Sequence, residues 1–82
     1  MKNKFAVFIQ QWLADQKGLE IDSIDMHANF FEQGWLDSLG MFRLLVEIET
    51  TFAMETDQLS LFTDAEPNIA SLASALSAQG KV

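Results

Sequence analysis

At 82 residues, with 49 % hydrophobic and 11 % aromatic side chains, the chain can bury one core and is expected to form a single domain over 1–82. Five Lys and Arg against twelve Asp and Glu give a net charge of −7, which repels phosphate backbones and anionic membranes and argues against nucleic-acid binding. No cysteine is present, so disulfides, thiolate metal ligands and a cysteine nucleophile are excluded.

The N-terminal run MKNKFAVFIQQWLADQKG places lysines before an apolar stretch, but its apolar residues alternate with Gln and Asp and no small-residue cleavage site follows. Phe5, Phe8, Ile9, Trp12 and Leu13 recur at i, i+3, i+4, i+7 and i+8, the stripe of an amphipathic helix. Asn3 is a candidate cap and Gly18 a stop, so the spacing predicts a helix from about Lys4 to Lys17, with Val7 off the stripe. No segment is long enough to cross a bilayer, and the expectation is a soluble cytoplasmic monomer without membrane insertion.

From Gly18 to Asp37 runs a connection longer than most helix-to-helix links. Leu19, Ile21, Ile24 and Met26 are its expected anchors, Asn29 to Phe31 a helical turn whose rings plug the core, and Gly34 the point of reversal. His27 has no second His or Cys nearby, so a metal role is not expected.

The next segment, GWLDSLGMFRLLVEIETTF, joins a turn to a helix beginning at Ser38. On the helical wheel Gly40, Arg43, Glu47, Thr50 and Thr51 form a polar stripe, opposite Met41, Leu44, Leu45, Ile48 and Phe52. Leu39, Phe42 and Val46 widen the apolar arc past half the circumference, which places this helix centrally under several neighbours. Arg43 and Glu47, four apart, can pair on the surface.

After a link at Ala53 to Asp57, Gln58 to Phe62 reads as a single helical turn with Leu59, Leu61 and Phe62 on its apolar side and Ser60 as an alternative cap. Pro67 forces extended geometry on Glu66, Asn68 can cap, and Ile69, Leu72, Ala73 and Leu76 give a last helix ending near Gln79, before Gly80. Its Ala and Ser content makes it slim enough for close packing. With no sustained period-2 alternation, the fold class is all-α: a four-helix bundle of three main helices and one short one, with a long first loop.

Asp37 and Ser38 admit three readings. Either can cap the helix. A catalytic serine would need a base and usually an oxyanion site, and the chain has one histidine and no GxSxG turn. The third is covalent attachment of a prosthetic group where helix-start N–H groups suit a phosphodiester.

The run NFFEQGWLDSLG, the helix ending ETTF and the downstream LFTDAEPNIASLASAL together resemble the phosphopantetheine-binding carrier family, the acyl and peptidyl carrier proteins. The GxLDS spacing followed by Leu39-Gly40 is similar to the stand-alone D-alanyl and aminoacyl carriers. The resemblance implies a non-catalytic carrier. Ser38 would bear a 4′-phosphopantetheine arm taken from coenzyme A by a phosphopantetheinyl transferase, with Asp37 supporting that reaction. The arm's thiol would hold an acyl or aminoacyl group as a thioester, passed from an adenylating or acyl-transferring enzyme to a downstream condensing or transfer enzyme, in a secondary-metabolite or cell-envelope pathway.

The same resemblance assigns Leu39 and Val46, where the family uses apolar residues, to partner recognition. On the wheel Arg43 and Glu47 share the polar stripe beside them, Glu47 open to a basic partner, and Trp35 is expected either to touch a partner or to cap the core. Leu39 and Val46 equally suit a wider core. Arg43 stands where fatty-acid carriers usually place an acid, which argues against a housekeeping fatty-acid role. The alternative is an unmodified helical interaction module in which Ser38 only caps a helix.

Overall fold

The computed structural model describes residues 3–63 and 65–79, and among them there are helices and no strand. In chain order these are α1 (Lys4–Lys17), a short 3-10 turn (Ile21–Ser23), α2 (Ser38–Phe52), α3 (Gln58–Thr63) and α4 (Ile69–Gln79). Three longer helices, one short one and a long first loop make the expected bundle; the expected stop at Gly80 lies outside the described residues.

Each start and stop has a local cause. The Asn3 carboxamide oxygen accepts from the N–H groups of Phe5 and Ala6, and its amide nitrogen donates to Ser77 Oγ at 2.8 Å, tying the head of α1 to α4. Gly18 ends α1 in the left-handed region, with Leu19 N–H returning to the Ala14 carbonyl. The Asn68 side chain accepts from Ser71 N–H at 2.8 Å and starts α4. The Asp57 carboxylate accepts from Ser60 N–H at 3.1 Å, so Asp57 rather than Ser60 caps α3.

The core is drawn from all four α-helices: Phe5, Ile9 and Leu13 of α1, Met41, Leu44, Leu45 and Ile48 of α2, Leu61 of α3, and Ile69, Leu72, Ala73 and Leu76 of α4. Phe8 and Trp12 pack against its edge. The closest helix pair is α1 with α4, where alanines let the backbones approach; α2 is less central than its apolar width predicts. It buries one face, while Leu39, Phe42 and Val46 stay in solvent.

The long loop is ordered by three devices. Gln10 Nε2 donates to the carbonyls of Ile21 and Ile24, at 3.0 and 3.2 Å, and holds the 3-10 turn against α1. Phe30 N–H bonds the Pro67 carbonyl and Ala70 N–H bonds the Met26 carbonyl, lacing the loop to the start of α4. Phe30 itself is fully buried, which stabilises the fold by about 1.5–3 kcal/mol.

Four apolar expectations are corrected. Leu19 follows directly on the Gly18 reversal and faces solvent, leaving Ile24 as the buried anchor with Ile21 and Met26 partly covered. Phe31 meets Phe30 edge to face at 5.1 Å but lies outside the core. In α3 only Leu61 reaches inward; Leu59 is 74 % exposed and Phe62 is exposed as well, because one short turn can bury only one position deeply.

Candidate functional site

The segment before α2 is fixed by Phe30. Its carbonyl accepts from both Trp35 and Leu36 N–H, at 2.9 and 3.2 Å, once Gly34, at φ 74°, has turned the chain back. Asn29 supports the preceding turn by accepting from Phe31 and Glu32 N–H. Leu36 is thereby buried, an anchor that the sequence pattern missed because it stands outside any helical repeat. Trp35 is half-buried against the core edge.

Asp37 then takes the capping position. Its backbone is extended and its Oδ1 accepts from Gly40 N–H at 2.7 Å. Ser38 is the first helical residue, exposed, and its hydroxyl has no hydrogen-bond partner among the described residues. The reading in which Ser38 only caps a helix is therefore corrected: Asp37 does the capping. Gly40 makes room for this, since a Cβ there would lie 3.1 Å from both Asp37 Oδ1 and Leu36 Cδ2.

An exposed primary hydroxyl at a helix start suits phosphoester formation. The backbone N–H groups of Ser38 and Leu39 precede the intrahelical ladder, and the helix dipole favours the negative charge that such an ester brings. The geometry thus fits a phosphodiester-linked group on Ser38. The one histidine, His27, lies earlier in the same long loop, where its backbone N–H bonds the Asp25 carboxylate, and no metal-binding cluster occurs among the described residues.

Farther along α2, Leu39 (59 % exposed), Phe42 (47 %) and Val46 (41 %) follow at i, i+3 and i+7 on a single outward strip. Leu39 and Val46 are thus surface and not core. Phe42 belongs with them, and the i+3 spacing from Leu39 was the available signal. Arg43 and Glu47 are both exposed and form no ion pair with each other.

One carboxylate with a clear task escaped the sequence reading. Glu49 accepts from Thr56 Oγ1 at 2.6 Å and Thr56 N–H at 2.9 Å, and these bonds, the hydroxyl first, hold its carboxyl below the usual carboxylate range against a smaller opposing effect of burial. It latches the exit of α2 at the end opposite Ser38.

No curated protein and no solved structure matches the chain. A family model does: the one described as the phosphopantetheine attachment site, over residues 8–76. That match spans α2, the loop before it and most of the bundle, and so the chain belongs to the phosphopantetheine-binding family of acyl and peptidyl carrier proteins, whose members bear 4′-phosphopantetheine covalently.

Proposed function

We propose that Ser38 is the attachment residue and that the protein carries an acyl or aminoacyl group as a thioester between biosynthetic enzymes. The observation that carries this is the free, exposed Ser38 hydroxyl at the first turn of α2, with capping already done by Asp37. In loading, Ser38 Oγ forms the new bond to phosphorus, the pyrophosphate bond of coenzyme A breaks, adenosine bisphosphate leaves and the hydroxyl proton is lost. The attached group supplies the thiol that this cysteine-free chain lacks. The chain's own part is to present the serine rigidly, to hold the ester's charge at a helix start, and to offer a surface that partners read.

Carrier domains engage phosphopantetheinyl transferases and biosynthetic enzymes generally. Here the exposed Leu39, Phe42 and Val46, flanked by Arg43 and Glu47, supply an apolar strip with charges beside it, the composition that docking surfaces use. The spacing of Gly34 to Ser38 and the cation at Arg43 favour a D-alanyl or aminoacyl-type carrier of a cell-envelope or secondary-metabolite pathway over a fatty-acid carrier. On this reading the protein is a cytoplasmic monomer and catalyses nothing itself; no helix among the described residues is long and apolar enough to cross a membrane.

Incubation with coenzyme A and a broad-specificity phosphopantetheinyl transferase, followed by mass spectrometry, tests the assignment. One phosphopantetheine mass is expected on the wild type and none on Ser38→Ala. The substitution should leave thermal stability nearly unchanged, because the hydroxyl bonds nothing among the described residues. Addition to Ser38→Ala, or none to the wild type, refutes it.

A further inference from the structure

Beside Ser38 a depression of about 460 Å³ opens between the last turns of α1 and the first of α2, and Leu36, Asp37, Leu39 and Gly40 form its near rim. Trp12, Lys17, Trp35 and Arg43 also line it. A second depression, of about 400 Å³, shares Trp12, Gln16 and Arg43 with the first and continues past Phe42 and Val46 to Glu47. The two make one groove along the flank of α2.

The first depression departs sharply from the rest of the chain. Both tryptophans line it, as do two of the five cationic side chains of a protein whose net charge is −7. Lys4 lies over the rings of Phe5 and Phe52, whereas neither Lys17 nor Arg43 has an ion-pair partner among the described residues. The one carboxylate on the rim, Asp37, is held by Gly40 N–H, and Glu47 stands at the far end of the second depression. Two unpaired cations and two indoles lining one depression suit an anion with an apolar body: a guanidinium matches a carboxylate in bidentate geometry, and an indole covers hydrocarbon.

The geometry points to this depression as the resting place of the distal end of an arm on Ser38, selective for an acyl group that carries a free carboxylate. The inference rests on the attachment reading above but not on its D-alanyl form: an alanyl thioester ends in an ammonium, which Lys17 and Arg43 would repel, so the cargo selected here is an acyl or aminoacyl group with a second, free carboxylate. Tethering makes the docking intramolecular, at an effective concentration on the order of millimolar, so even a weak cleft is occupied for a substantial fraction of the time. A neutral acyl group gains only the indole contacts.

The test uses the full chain, isotope-labelled and loaded at Ser38 from succinyl or butyryl coenzyme A, which differ in the terminal carboxylate. Because both tryptophans line the depression, the two indole N–H signals in the nuclear magnetic resonance spectrum report on it. The succinyl arm is expected to shift both signals at least twofold more than the butyryl arm, and the difference should vanish in the double variant Lys17→Gln, Arg43→Gln. Equal shifts with the two arms, no shift with either, or a difference that survives the double variant overturns the inference. Mass spectrometry of the same samples separates the two readings: failure to load at Ser38 sinks the carrier assignment, while loading without the indole response sinks the docking site alone.

Discussion

A serine at a helix start usually turns its hydroxyl onto the free N–H groups of the first turn. In this protein Asp37 does so one residue earlier, which leaves Ser38 Oγ in solvent. Capping and charge can be separated at Asp37. Asp37→Asn retains a good cap and is expected to change stability by only a few tenths of a kcal/mol, whereas Asp37→Ala should cost about 1 kcal/mol in chemical denaturation. If the carboxylate also helps the transferase to engage, both variants load more slowly, by about tenfold. A wild-type loading rate for Asp37→Asn would reduce the aspartate to a cap.

At the scale of the element, α1 and α2 end alike on different residues. Gly18 and Ala53 both adopt the left-handed conformation, and in each case the next N–H, from Leu19 or Met54, closes onto the carbonyl five residues back. An alanine carries a Cβ penalty there that glycine does not. Ala53→Gly is therefore expected to raise stability by about 0.5–1 kcal/mol, read as a higher denaturant midpoint with an unchanged slope; a lower midpoint would contradict the strain argument.

The Glu49 latch beside that terminus gives a pH signature. Its folded pKa lies below the ordinary 4.5, so its contribution is complete above that pH and disappears as the pH falls through the lowered folded value. Glu49→Gln should thus be less stable than the wild type at neutral pH, with the gap narrowing in acid. A gap that does not depend on pH would mean that the charge is irrelevant. Sequence could locate the helices that these features terminate, because Asn3, Gly18 and Asn68 are residue types with strong terminal preferences. It could not find Ala53 as a reversal or Thr56 as a latch, since neither type signals that conformation or that contact.

For the molecule as a whole, periodicity separated apolar from polar arcs but not covered from uncovered apolar surface. Leu44 and Phe42 look alike on a wheel; one is fully buried and the other 47 % exposed, because α1 and α4 pack chiefly on each other and leave one flank of α2 open. The attachment motif was legible because it is local in sequence, whereas the groove joining Trp12 to Arg43 depends on how two helices meet. Leaving Leu39, Phe42 and Val46 in water forgoes hydrophobic stabilisation, which a partner docked on the strip would recover. If that strip docks partners, Leu39→Ser and Val46→Ser should each lower kcat/KM for phosphopantetheinyl transfer about tenfold, equivalent to about 1.4 kcal/mol, mainly through KM. Thermal midpoints should barely move, and Val7→Ser, on the exposed flank of α1, should leave transfer unchanged. Equal effects at all three positions would show that transferases do not read this strip.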